Sequence, residues 1–304
     1  DRVQLKGNSF GAFWAMTIIR RHPGMVERAT LASLEGPDDT FDIPTDIVNS
    51  LKRIADGAAQ ADRYKSRFPT EGLITAYQIA IDKAEAEPFE VSHKTEDGSD
   101  VVMRIDGHAM RELSRGVRRP PLWSTIMYDW PHDLLRIIDG DFSEAARRIH
   151  RVWTGRGTDN AAEAIIECSS GASSARMERI RTDRARNFLS STTPLWDDDI
   201  CGVWGNAVQP MDTSSFVSSG PVVLIQGTWD ISTPPENATG LRAIFPNNTF
   251  ILVEGGSHGS IYEAEDADSN MPAALNHWYA TGDPSLLPTQ VKLSPLTWTE
   301  KDRE

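Results

Sequence analysis

The chain has 304 residues, 39% of them hydrophobic and 25% charged, with a mean hydropathy of −0.40. That is ordinary globular composition in a chain long enough to bury a sizeable core as one large domain or two. A formal net charge of −13, spread along the chain rather than gathered in a tail, repels phosphate backbones and argues against a nucleic-acid partner. No apolar run approaches a membrane span, and Val222–Ile225 and Phe250–Val253 are strand-sized.

Val3 to Lys6 reads as a short strand that enters a helix, Phe10 to about Arg21, through Gly7-Asn8-Ser9-Phe10-Gly11. This is a Gly-x-Ser-x-Gly pattern. A strand turning this tightly into a helix strains the middle residue and exposes its side chain above the sheet. The same turn makes Gly7 and Gly11 positions where a Cβ is expected to strike a neighbour. By itself the pattern arises by chance in about one chain of this length in ten. His22-Pro23-Gly24 ends the helix, and Ala29 to Leu34 follows as a second strand, parallel to the first, before Glu35-Gly36-Pro37.

Beyond residue 38 a period of 3.6 dominates: Ile47-Leu51-Ile54, Leu73-Tyr77-Ile81, Leu134-Ile138 and Phe142-Ala146-Ile149-Trp153. Phe89–Val91 and Val101–Ile105, around Glu96-Asp97-Gly98, read as a β-hairpin. Residues 41–204 are therefore expected to form a mostly helical insertion in an α/β core made of 1–40 and 205–304. The insertion holds Trp123, Trp130, Trp153 and Trp196, and an arginine-rich helix from Arg176 to Arg186 that reads as a solvated charged face. The two cysteines, Cys168 and Cys201, lack metal-ligand spacing. They are either two buried thiols or one bridge.

After Gly205 the strand–helix–strand order returns. Pro221 to Gly227 is a buried-strand run, Thr233-Pro234-Pro235-Glu236 reads as a capping box starting a helix to Ile244, and Thr249 to Glu254 is the next strand. That strand ends in Gly255-Gly256-Ser257-His258-Gly259. A helix around Met271–Tyr279 closes the domain, and the proline-rich tail from Pro284 is expected to lie along the surface.

Ser9, Asp230 and His258 each stand just past the carboxyl end of an expected parallel strand, where open α/β sheets gather their ligands. Singly, they also read as a turn serine, a loop cap and a loop histidine. Together, in the order Ser, Asp, His, they match the α/β-hydrolase order. A hydroxyl is a poor nucleophile at neutral pH, so an imidazole must take its proton, and a carboxylate must hold that imidazole in the right tautomer. The backbone N–H of Phe10, at the helix start, is the expected oxyanion donor. No metal or organic cofactor is required.

The Gly-Asn-Ser-Phe-Gly stretch with the downstream Arg-Arg-His-Pro, and Leu34-Glu35-Gly36-Pro37-Asp38, resemble the α/β-hydrolase group of proline iminopeptidases and tripeptidyl aminopeptidases. So do Gly227-Thr228-Trp229-Asp230-Ile231-Ser232-Thr233-Pro234-Pro235 and Gly255-Gly256-Ser257-His258-Gly259. The likeness covers both ends well, and the insertion only through its helices, hairpin and cysteine pair. It implies an α/β-hydrolase fold with a large helical cap, Ser9 as nucleophile, Asp230 as orienting acid and His258 as base. It also implies cleavage of short peptides from a free N-terminus, and a secreted or periplasmic setting, with the cytoplasm the alternative. In that group several strands and a His-Gly-Gly loop precede the nucleophile strand, so an N-terminal segment of the same fold, carrying a second oxyanion donor, is expected beyond this sequence. For the substrate's ammonium, Glu35 and Glu167 are the candidate carboxylates. A carboxylesterase shares the chemistry and is the alternative. A hydrolase-fold module that binds without turnover is the reading of another class.

Overall fold

The computed structural model describes residues 2–95, 97–114, 123–154, 161–189, 200–203, 211–296 and 298. In chain order the elements begin with β1 (Val3–Asn8), α1 (Phe10–Arg21), β2 (Val26–Ala32), α2 (Pro44–Ala59) and α3 (Leu73–Ala86). Next come the strands β3 (Phe89–Lys94) and β4 (Asp100–Ile105), then α4 (Gly107–Ser114), α5 (Trp123–Ile138) and α6 (Ser143–Trp153). α7 (Ala161–Ser170), α8 (Ser174–Thr182), a 3-10 turn at Arg184–Asn187 and α9 (Ile200–Val203) follow. The chain closes with β5 (Val222–Gly227), α10 (Asn237–Ile244), β6 (Asn248–Glu254), α11 (Ser260–Ala267), α12 (Met271–Thr281) and β7 (Gln290–Lys292).

The chain divides into two compact units. The first, residues 1–50, 166–180 and 206–295, is built on one sheet of five strands in the order β1-β2-β5-β6-β7. Every pairing in it is parallel. β5 sits in the middle and is buried along its whole length, which is why it opens on the apolar run Val222–Ile225 rather than an alternation. Its alternate residues point to opposite faces. Val222 and Leu224 pack with α1 and α10 through Met16, Ile19, Leu241 and Phe245. Val223 and Ile225 pack with α11 and α12 through Ile261, Met271, Leu275 and Trp278. The result is a helix–sheet–helix sandwich. Asn8, Ala32 and Ile225 are paired in line across β1, β2 and β5, and Ile225 pairs onward with Ile251 in β6. Four strands therefore finish at one edge, and the loops that follow them emerge side by side.

The second unit, residues 51–165, 181–205 and 296–304, is mostly helical. Its one sheet among the described residues is the antiparallel β3–β4 hairpin, registered from Phe89↔Ile105 to Lys94↔Asp100. Phe89 packs edge-on against Phe142 at 4.6 Å, the Tyr77 hydroxyl donates to the Met110 carbonyl at 2.9 Å, and the Trp130 indole N–H donates to the Ser114 carbonyl at 2.8 Å. Both aromatic polar tips are thus satisfied inside a core. The side chains of Trp123 and Trp153, and Trp196 and Glu96 altogether, lie outside the described residues. Both cysteines are disulfide-bonded, so neither is a thiol.

Three local expectations need correction. The tail beyond Pro284 does not merely lie on the surface, because Gln290–Lys292 adds a fifth strand beside β6 with Val291 buried. Helix α10 starts at Asn237 and not in the Thr233-Pro234-Pro235-Glu236 stretch. The Thr233 hydroxyl that a capping box would use is committed to Asp230. At Gly11 a Cβ would meet nothing within 4 Å, whereas at Gly7 that atom would lie 2.3 Å from the Gly11 carbonyl oxygen. Of the two, only Gly7 is sterically required.

Candidate active site

Ser9 occupies the corner between β1 and α1 with φ 58° and ψ −130°, a backbone that an L-residue rarely adopts. Its N–H continues the sheet by donating to the Ala32 carbonyl at 3.0 Å, and its own carbonyl accepts from the Ala12 N–H at 2.7 Å to begin the helix. Strand and helix together therefore impose the strained corner, and the hydroxyl is left outside both ladders.

Asp230 lies in the loop after β5 and is completely buried. Its Oδ1 accepts from the N–H groups of Ser232 and Thr233, each at 2.9 Å, and its Oδ2 from the Thr233 hydroxyl at 2.8 Å. The loop after β6 brings His258, whose Nδ1 lies 3.0 Å from both carboxylate oxygens. The two loops are bound to each other: the Trp229 N–H donates to the Gly256 carbonyl at 2.8 Å, and the Gly255 N–H to the Thr228 hydroxyl at 2.9 Å. Gly227 permits this approach, since a Cβ there would sit 2.3 Å from the Gly256 carbonyl oxygen.

His258 Nε2 lies 2.8 Å from Ser9 Oγ. With Nδ1 donating to the carboxylate, Nε2 is the acceptor and the serine hydroxyl the donor. Burial disfavours the charged carboxylate of Asp230, but the imidazole and the three donors around it hold its pKa below the ordinary value. Burial likewise works against an imidazolium at His258, yet the Asp230 charge and hydrogen bond raise its pKa above 6.5. Each partner favours the ionised form of the other. Phe10 opens α1, where the first N–H groups of a helix have no intrahelical acceptor. Its ring stacks on Phe13 at 5.7 Å.

The parallel sheet, the strained serine between strand and helix, and the Ser–Asp–His order past the ends of β1, β5 and β6 now stand together. This is the α/β-hydrolase fold. No family model matches the chain, and no curated protein matches it. Among solved structures it is similar to BpoC of Mycobacterium tuberculosis H37Rv, a candidate non-heme bromoperoxidase, at 13% identity and a TM-score of 0.34, over 91% of this chain and 67% of that one. It is similar to Rv0554 of Mycobacterium tuberculosis at 13% identity and a TM-score of 0.34, over 91% and 65%. It is also similar to an epoxide hydrolase from an endophytic Streptomyces at 13% identity and a TM-score of 0.32, over 96% and 71%. The matched region spans about two thirds of the first two structures. Likenesses this distant assign no activity.

Glu35 follows shortly after the end of β2 in the same unit. Burial, then the neighbouring Asp39 charge, pushes its pKa up to about 7; Glu167 adds to the rise, while His258 and Arg176 oppose it. Asp39 and Arg176, unlike Glu167 and His258, are not among the residues that the sequence singles out for the site. Arg176, expected on a solvated face, has a largely buried side chain. It donates from Nη1 to Asp39 at 2.7 Å and from Nε to the Phe41 carbonyl at 2.6 Å. Asp38 accepts from the N–H and hydroxyl of Ser173 at 2.6 and 2.7 Å. The consecutive acids Asp38-Asp39 could have signalled such a network. Glu263 gave no signal, yet it accepts the Ser257 N–H at 2.6 Å and hydroxyl at 2.5 Å, next to His258. Among the described residues no group of three His, Cys, Asp or Glu side chains could hold a metal ion. No helix among them is long and apolar enough to cross a membrane.

Proposed function

We propose that this protein is a serine hydrolase that releases residues from the free N-terminus of short peptides. The observation that carries the hydrolase reading is the unbroken line from Ser9 Oγ through the His258 imidazole to the buried Asp230 carboxylate. Ser9 attacks the scissile carbonyl while His258 Nε2 takes its proton, and Asp230 stabilises the imidazolium that forms. The Phe10 N–H donates to the oxyanion. His258 then returns the proton to the leaving amine as the C–N bond breaks, leaving an acyl group on Ser9. In the second half a water attacks the acyl carbonyl while giving a proton to His258, which returns it to Ser9 Oγ as the acyl–oxygen bond breaks and the carboxylic acid leaves.

The aminopeptidase assignment is supported by the acidic surroundings of Glu35. The charges of Asp39 and Glu167 both act on Glu35 and raise its pKa, against those of His258 and Arg176, which lower it. A substrate ammonium entering there replaces a costly like-charge cluster with an ion pair. Glu35 and Glu167 are the proposed ammonium ligands. A carboxylesterase is the second reading, favoured by the same raised pKa, because a carboxyl near 7 is half neutral at neutral pH and attracts an ammonium weakly.

Steady-state kinetics on aminoacyl-arylamides with free and acylated amines, beside p-nitrophenyl esters, separate the two. The aminopeptidase turns over only the free-amine arylamides at a useful rate, and its KM for them falls as pH rises through about 7 and Glu35 ionises. Efficient ester turnover with no preference for a free amine supports the esterase instead.

A further inference from the structure

Among the described residues only two non-glycine residues have positive φ, Ser9 at 58° and Ser33 at 48°. The first is explained by the corner it occupies. Ser33 immediately follows β2 and is completely buried. A left-handed turn alone is served better by glycine, which adopts it without strain. What glycine lacks is the hydroxyl, and Ser33 Oγ donates to the His258 backbone carbonyl at 2.5 Å.

We propose that Ser33 is a positioning residue that, through its hydroxyl, anchors the main chain of His258 and so keeps the imidazole on Ser9. This deepens the hydrolase reading above and rests on it. The neighbours of Ser33 have parallel tasks. The Ala32 carbonyl accepts the Ser9 N–H at 3.0 Å. The Leu34 N–H donates to Gln226 Oε1 at 2.8 Å, and Gln226 Nε2 donates to the Thr233 carbonyl at 2.9 Å, in the loop that carries Asp230. Three successive residues thus reach the nucleophile, the base and the acid loop, and the base is reached by a side chain alone. The Ser33 N–H is fixed by the Ile225 carbonyl at 3.1 Å, so the hydroxyl works from a seat built into the sheet. Asn8 Nδ2, 3.5 Å from the same His258 carbonyl, is at the limit of a hydrogen bond and does not substitute for it.

The test compares Ser33→Ala, which keeps the backbone strain, with Ser33→Gly, which relieves it; both lack the hydroxyl. Two readouts are taken: the rate of fluorophosphonate labelling of Ser9, and the NMR titration of the His258 imidazole. The charges around His258, namely Asp230, Glu35, Asp42 and Glu263, are the same in all three proteins, so a change reports geometry. The expected result is a labelling rate about 10- to 100-fold lower in both variants, with the His258 midpoint moving down as its contact with Asp230 loosens. Ser33→Gly melts no lower than Ser33→Ala. Wild-type labelling and titration in both variants overturn the proposal. A wild-type protein that is not labelled at all, but whose His258 titration moves in Ser33→Ala, refutes the hydrolase reading and leaves the positioning role standing.

Discussion

At Asp230 four donors converge on two oxygens, and a carboxylate so supplied stays ionised even without water. Glu35 is the opposite case, a carboxyl that burial and its acidic neighbours push up to about 7 from 4.5. Its neutral form suits the fold. Stability linked to Glu35 is therefore fully present below pH 4.5 and lost as pH rises through about 7. Glu35→Gln should consequently melt above the wild type at pH 8, with the difference vanishing at pH 4. Equal melting temperatures at both pH values would show that Glu35 is solvated. The same variant should raise KM for free-amine substrates at pH 8 with little change for acylated ones. The placing of Ser9, Asp230 and His258 just past the ends of β1, β5 and β6 was legible in the sequence, because each stands close behind an apolar strand run. Ser33 was not, since its role depends on a left-handed φ and a carbonyl 225 residues away. Neither leaves a trace in a one-letter pattern.

On the scale of elements, the two glycines of the serine turn make different predictions. Gly7→Ala forces its Cβ onto the Gly11 carbonyl and should destabilise the fold by about 1–3 kcal/mol, as overpacking does. Gly11→Ala meets open space inside α1 and should stabilise by up to about 1 kcal/mol, the helix-propensity difference. Chemical denaturation of both variants checks this; equal losses would mean that both glycines are sterically required. The expected helices in α2, α3, α5 and α6 and the β3–β4 hairpin are all present, because long periodic segments and a tight turn are strong local signals. β7 was invisible for the converse reason. Three residues make no periodicity, and only the exposed ladder of β6 gives Gln290–Lys292 a strand to join. The start of α10 was misread because Thr233 looks like a helix cap, while its hydroxyl is spent on Asp230.

For the whole molecule, the reactive geometry is a product of topology. Ser9 and His258 are 249 residues apart in sequence, and only parallel pairing of β1, β2, β5 and β6 ends their strands together. The two side chains meet only through that strand pairing, so the site exists only with the sheet. The sheet's two apolar faces are covered independently, by α1 with α10 and by α11 with α12, and that part was readable from the strand–helix alternation. The most direct test of the account is covalent labelling of the folded protein with a fluorophosphonate, mapped by peptide mass spectrometry, in wild type and His258→Gln. We predict a single adduct on Ser9, formed faster as pH rises through a midpoint above about 6.5, and almost none in the variant. An unmodified Ser9 in folded wild type, or equal labelling of the two proteins, would contradict the account and favour a module that binds without turnover.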